Sequence, residues 1–196
     1  MHGLVNKALQ CFLRDTFGPA AWAMVAERAQ LGFASFEAMT RYDPAITELV
    51  IATAIKVLER PREIFLEDMG TYLVSHPNSH SLRRLLRFGG TSFVEFLHSL
   101  DDLPGRGRLA LPHLDLPALE LVDIGVDRFS LHCRSNVIGG GHVLVGLLRA
   151  MADDYGALVV LEYRGRAEDT DVIGIQLLDM DFAEGRAFSL AEPVQG

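Results

Sequence analysis

Residues able to hold a metal, a phosphate or an electrophile are few and scattered along this chain. His76 and His80 have the i, i+4 spacing that on a helix would turn two imidazoles toward one metal ion. Pro77 and Asn78 lie between them, however, and the segment reads as a polar surface turn. Gly139-Gly140-Gly141 precedes a helical pattern and could cradle a phosphate at a helix N-terminus. It lacks the Lys-Ser/Thr of a P-loop and reads as a flexible connector. Cys133 is followed by Arg134, whose charge would favour a thiolate, whereas a strand cysteine is more often simply buried. Arg83, Arg84 and Arg87 form a basic cluster that reads as a solvated helix face. No Ser-His-Asp order, catalytic carboxylate pair or zinc spacing stands out, so nothing in the motifs argues for an enzyme.

The bulk composition narrows the classes. Eighteen Lys and Arg against 26 Asp and Glu give a net charge of −8, which argues against binding a nucleic-acid backbone. With 49% apolar residues in 196, the chain can bury a sizeable core as one domain. Two cysteines without a CxxC point to a reducing compartment. No signal peptide pattern or membrane-length apolar run is present, so a cytoplasmic protein is expected.

The elements that would position any site divide into two halves. Helices are expected from Leu4 to Thr16, over a Trp22-containing stretch restarted by Gly18-Pro19, from Asp43-Pro44 to Leu58, from Ile64 to Val74 and from Ser81 to Phe88. Phe33–Tyr42 reads as short and partly helical. Thr91–Leu103 carries Phe93, Phe96, Leu97, Leu100 and Leu103 at helical spacing, and Pro104-Gly105 should break it. Beyond Ala118, Leu119–Ile124 and Arg128–Cys133 alternate around Gly125-Val126-Asp127 as a hairpin. A helix His142–Tyr155, closed by Gly156, precedes strands Leu158–Tyr163 and Val172–Leu178, with a charged linker at 164–171 between them. The pattern is α+β: a helical N-terminal subdomain packed on a C-terminal four-stranded antiparallel sheet with one helix. The expected organisation is a single domain over 1–188, helical over 1–90 and α/β over 91–188, with a frayed tail at 189–196.

Several local patterns together resemble the heme-NO/O2-binding (H-NOX) family. The opening MHGLVNKAL followed by FGPAAW is similar to that family's Met-x-Gly-x-Val-Asn start and later Gly-x-x-x-Trp. Tyr42-Asp43 and Met69-Gly70 resemble two further features, the second a Phe-Gly segment in which glycine permits close helix approach. The stretch FLHSLDDLP resembles the family's signalling helix, near whose end a histidine ligates heme iron. The likeness extends over essentially the whole chain and implies a bacterial-type sensor module that regulates a histidine kinase or diguanylate cyclase.

The resemblance also locates the departures. Gapless matching puts the iron-ligating histidine at Pro104, which cannot ligate a metal. The family's Tyr-x-Ser-x-Arg motif, which grips the heme propionates, falls on Cys133-Arg134-Ser135-Asn136-Val137, where only Ser135 is kept. A shifted placement puts Ser130, His132 and Arg134 there instead. The proline that presses on the macrocycle is retained as Pro117. Implied pocket positions are Val5, Leu97, Pro104, Pro117, Cys133, Ser135, Val143 and Leu147. Without the imidazole such a pocket would take another hydrophobic ligand, or serve for partner binding. The alternative keeps heme or another tetrapyrrole through His98 or His113. His98, six residues before Pro104, is rotated by about 600° of helix, or about 240° off the original direction.

Overall fold

The computed structural model describes residues 1–110, 116–135 and 137–186. Four helices build the N-terminal half: α1 (Gly3–Phe17), α2 (Pro19–Arg28), α3 (Pro44–Leu58) and α4 (Arg62–Ser75). Their boundaries follow the punctuation of the sequence. Asp43 accepts from the Ala45 N–H at 2.9 Å and Pro44 occupies the first turn, so α3 begins where a capping carboxylate meets a residue with no N–H to lose. The apolar faces of these helices close on Leu9, Phe12, Leu13, Trp22, Val50, Phe65 and Leu66.

Phe33–Tyr42 contains no helix, contrary to its apolar content. Its backbone groups are taken by tertiary partners instead. Trp22 Nε1 donates to Ala34 O at 2.9 Å, Phe36 N to Gln10 Oε1 at 2.9 Å, and Glu37 N to the Tyr42 hydroxyl at 2.8 Å. His2 and Arg41 add an isolated antiparallel bridge. A 3-10 turn (Pro77–Ser79) leads into α5 (His80–Arg87). Arg84 is exposed, as a solvated face requires, but Arg83 and Arg87 turn to a buried partner. Arg83 grips Asp154, which is fully buried, through Nη2 at 2.6 Å and Nε at 3.0 Å. Arg87 lies 3.8 Å from the same carboxylate, with its guanidinium 4.0 Å over the Tyr155 ring.

The Thr91–Leu103 segment is two pieces rather than one helix. α6 (Phe93–His98) opens on a Ser92–Glu95 capping box and ends when the Ser99 hydroxyl donates to Phe96 O at 2.7 Å. The next helix, α7 (Leu103–Ala110), carries Pro104 in its first turn. The proline starts a helix here instead of stopping one, because only first-turn positions tolerate its missing N–H. Asp101 in the gap is drawn to the sheet, where it accepts from Leu121 N at 2.8 Å.

The sheet has strands β1 (Ala118–Gly125), β2 (Arg128–Arg134), β3 (Leu158–Ala167) and β4 (Thr170–Asp179) in the order β1-β2-β4-β3, every pair antiparallel. Between β2 and β3 runs α8 (Gly140–Tyr155), ended by Gly156 at φ 78°. The expected linker 164–171 is mostly strand: pairing persists to Ala167 and Thr170, with only Glu168 and Asp169 left to turn. The triple glycine is likewise no loose connector. Gly140 and Gly141 belong to α8, and Gly141 is buried where a Cβ would run into Asp171 and Tyr163.

A second core joins the sheet to α8 and α6 through Leu97, Leu119, Leu131, Cys133, Leu147, Leu148 and Ile173. It also takes in Val74 and Leu86 from the helical half. The two cores abut across α4 and α8. Among the described residues, no helix is long and apolar enough to cross a membrane.

Candidate ligand site

The implied pocket positions converge only in part. Leu97 on α6, Cys133 on β2 and Leu147 on α8 meet in the second core, each nearly or fully buried. Val143, one turn before Leu147, is packed against the helical core instead. Val5 on α1 is half-buried. Pro104, in the first turn of α7, and Pro117, immediately before β1, are also half-buried. His98 is half exposed; its Nε2 stands 3.7 Å from Asp123 and its ring lies edge-on to Phe129 at 5.9 Å. His113 lies outside the described residues.

Strand parity decides between the two placements of the propionate grip. Side chains alternate between faces along a strand, and on β2 the inward positions are Phe129, Leu131 and Cys133, all buried. Ser130, His132 and Arg134 therefore face the other side of the sheet. There the Ser130 hydroxyl and His132 Nε2 are 3.1 Å apart, and exposed Arg134 reaches Asp169 at 3.4 Å. The Ser130-His132-Arg134 placement points away from the space between sheet and helices. The same parity removes Arg134 from Cys133. Burial first, and the Asp171 charge second, push the Cys133 thiol up to about 12, so it is not an activated nucleophile.

A guanidinium does reach this place, but from another strand. In β3 the register shifts by one residue between Tyr163 and Gly165, and Gly165 holds φ 109°. This bulge reverses the parity of the rest of the strand, so Arg166 turns inward opposite Asp171. Its Nη2 donates to Ser135 O at 2.6 Å and its Nη1 to Asp171 Oδ2 at 2.7 Å. The Tyr163 hydroxyl donates to Asp171 Oδ1 at 2.6 Å. Burial, then this hydrogen bond, push the Tyr163 phenol up to about 12. Ser135 is engaged too, its hydroxyl accepting from Val137 N at 3.0 Å. The Asp171 carboxylate lies close to Gly141 in the first turn of α8, where the helix dipole favours negative charge. Through His142, whose ring is 4.1 Å from that of Tyr163 and whose Nδ1 is 3.4 Å from Glu67, the cluster extends to α4.

Sequence reasoning missed Tyr163, Arg166 and Asp171. Its one available signal was the isolated Gly165 within a strand pattern, a mark of a bulge. His76 stacks on Tyr72 and its Nδ1 accepts from Asn78 N at 3.3 Å. Among the described residues no group of three potential ligands gathers. Two shallow clefts, of about 210 and 230 Å³, lie on the outer face of the sheet and between α3 and Val137–Ile138. Both are below the usual range of small-molecule pockets, and of the residues matched to the family site only Val137 lines either, the second.

The family model described as Haem-NO-binding matches residues 2–163. The chain belongs to this H-NOX family. The H-NOX fold is equally evident in solved structures. An H-NOX protein from S. oneidensis in the Fe(II)NO ligation state superposes with a TM-score of 0.76 at 15% identity, covering 91% of this chain and 100% of that one. An oxygen-binding H-NOX domain related to soluble guanylate cyclases, in its oxygen complex, gives 0.70 at 14% identity, covering 95% and 100%. At these identities the likeness speaks for the fold. In sequence the H-NOX chain is 22% identical over 163 residues to soluble guanylate cyclase gcy-31 of Caenorhabditis elegans and 20% identical to soluble guanylate cyclase 89Db of Drosophila melanogaster. It aligns over 83% of its own length but spans only 23% and 24% of theirs.

Proposed function

We propose that this H-NOX-family chain is a sensor module in signalling whose state is set without family-style heme ligation. The observation that carries this is the donor set. The position matched to the iron ligand is Pro104, in the first turn of α7, whose side chain has no donor atom for a metal. At the matched propionate grip, Cys133 faces the core, the Ser135 hydroxyl is engaged on Val137 N and Val137 is aliphatic. The guanidinium beside them already holds a protein carboxylate. These residues do not fit heme bound in the family manner. His98, half exposed and beside Asp123, does not favour the alternative of heme on another imidazole.

In this reading the space between the sheet and the helices serves an uncharged hydrophobic ligand or a partner. The output is a shift of the Thr91–Leu103 segment between two packings. A ligand moves that equilibrium only by its differential affinity for the two. The α6–α7 elbow suits this role, being short and tied to its neighbours by side-chain hydrogen bonds that can exchange, Asp101 to Leu121 N of β1 and Arg106 Nη2 to Ser99 O at 2.8 Å. The recipient is an effector such as a histidine kinase or a cyclase, consistent with relatives in which the matched region is about a quarter of a guanylate cyclase. Purification after expression with heme supplied tests the proposal. Absence of a Soret band from the wild-type protein is expected, and a stoichiometric band overturns it.

A further inference from the structure

We propose that Asp171 is a built-in replacement for a ligand carboxylate, so that Arg166 is withheld from carboxylate-bearing ligands. The inference rests on the reading above, that heme is not held in the family manner. It begins from where the Arg166 guanidinium lies. By touching Ser135 O at 2.6 Å and Val137 O at 3.5 Å, it sits directly on the segment matched to the propionate grip. A half-buried guanidinium in that place requires a carboxylate partner. Here β4 supplies one from within, since Asp171 is paired across the ladder with both Cys133 and Arg166 and is fully buried.

Both of its oxygens are satisfied, one by Tyr163 and one by Arg166. A buried charge persists only when paired and hydrogen-bonded in this way. The surroundings are fitted to it as well. Gly165 supplies the bulge that aims Arg166 inward, and Gly141 leaves the room that a Cβ would take from Asp171 and Tyr163. A second carboxylate brought to Arg166 would meet the negative charge of the buried Asp171. A neutral ligand would not.

Chemical rescue by formate, which matches the carboxylate removed in Asp171→Ala, tests the assignment. Full-chain wild type, Asp171→Ala and Asp171→Asn are melted in sodium formate and in sodium chloride of equal ionic strength. Asp171→Ala should lose about 10 °C in Tm, as expected for an unpaired buried charge. Formate at ten times its Kd should then restore roughly 3–5 °C beyond chloride. Wild type and Asp171→Asn, which leave no cavity, should respond alike to both salts. Adding Arg166→Met to Asp171→Ala should abolish the response. If Asp171→Ala is too unstable to melt, refolding from urea is compared in the two salts, with a greater folded fraction in formate expected.

Equal recovery of Asp171→Ala in formate and chloride, or a formate response that survives Arg166→Met, overturns the assignment. The outcome is distinguishable from failure of the functional reading. A heme band in wild type removes that reading without altering the formate result, whereas a missing formate response with no heme band removes only the role of Asp171.

Discussion

Gly70 on α4 and Gly146 on α8 form a reciprocal backbone contact. A Cβ on Gly70 would overlap the carbonyl oxygen of Val143, and a Cβ on Gly146 would overlap that of Glu67. Thr71 adds a hydrogen bond from Oγ1 to Gly146 O at 3.3 Å. The helices thus touch main chain to main chain where the two hydrophobic cores meet, and their spacing admits no side chain at either position. The close approach expected at Gly70 is present, and its partner glycine lies on the opposite helix.

Replacing either glycine by alanine should therefore be costly despite alanine's better helix propensity. The clash is with backbone and cannot be relieved by a rotamer change, so a loss of about 3 kcal/mol is expected, at the upper end for overpacking. Urea denaturation of Gly70→Ala and Gly146→Ala checks this. Stabilisation of either variant would mean that the helices stand farther apart.

Cys133 should resist alkylation in the folded protein. Its thiol is buried and pushed up to about 12, whereas Cys11 is half-buried beside Arg14. With a thiol reagent at about pH 8, near the ordinary cysteine pKa, Cys11 should label first and Cys133 only after denaturant is added. Native labelling of Cys133 at the rate of Cys11 would contradict the inward, buried position of Cys133 on β2.

Asp15 should make stability sensitive to acid. Burial raises its pKa, but hydrogen bonds from Arg14, Tyr72 and Asn78 outweigh this and leave the carboxyl below its usual range. For a carboxyl lowered on folding, the stabilisation is complete above its unfolded pKa, about 3.9, and is lost as pH falls through the folded value. The Tm of wild type should thus drop faster below about pH 4 than that of Asp15→Asn. Parallel curves would show that Asp15 carries none of the acid sensitivity.

The Arg83–Asp154 pair should behave as a buried ion pair rather than a surface one. Asp154 is fully buried, and Asp154→Ala would remove the carboxylate that both Arg83 and Arg87 approach. A loss of about 3–5 kcal/mol is expected. Asp154→Leu combined with Arg83→Met should be milder than Asp154→Ala alone, as measured by denaturant midpoints. A cost below about 1 kcal/mol for Asp154→Ala would place the pair among weak surface bridges.

Much of the architecture was legible because its boundaries are chemical. Asp43-Pro44 opens α3, Gly156 closes α8, and the alternation around Gly125-Val126-Asp127 gives the β1–β2 hairpin. The elbow between α6 and α7 was hidden because Leu100 and Leu103 remain buried after α6 has ended, so the apolar period continues through the break. The Arg166–Asp171 pair was hidden for a different reason. Whether a strand residue faces in or out depends on parity, and one inserted residue at Gly165 reverses it. The departures from the family pattern at Pro104, Cys133 and Val137 were readable, but the carboxylate from β4 needed the sheet register.

The most direct measurement is the absorption spectrum of the wild-type protein expressed with heme supplied, with heme quantified per chain. The account predicts no Soret band, because Pro104 offers iron no ligand and Arg166 is already committed to Asp171. A stoichiometric Soret band in wild type would contradict it.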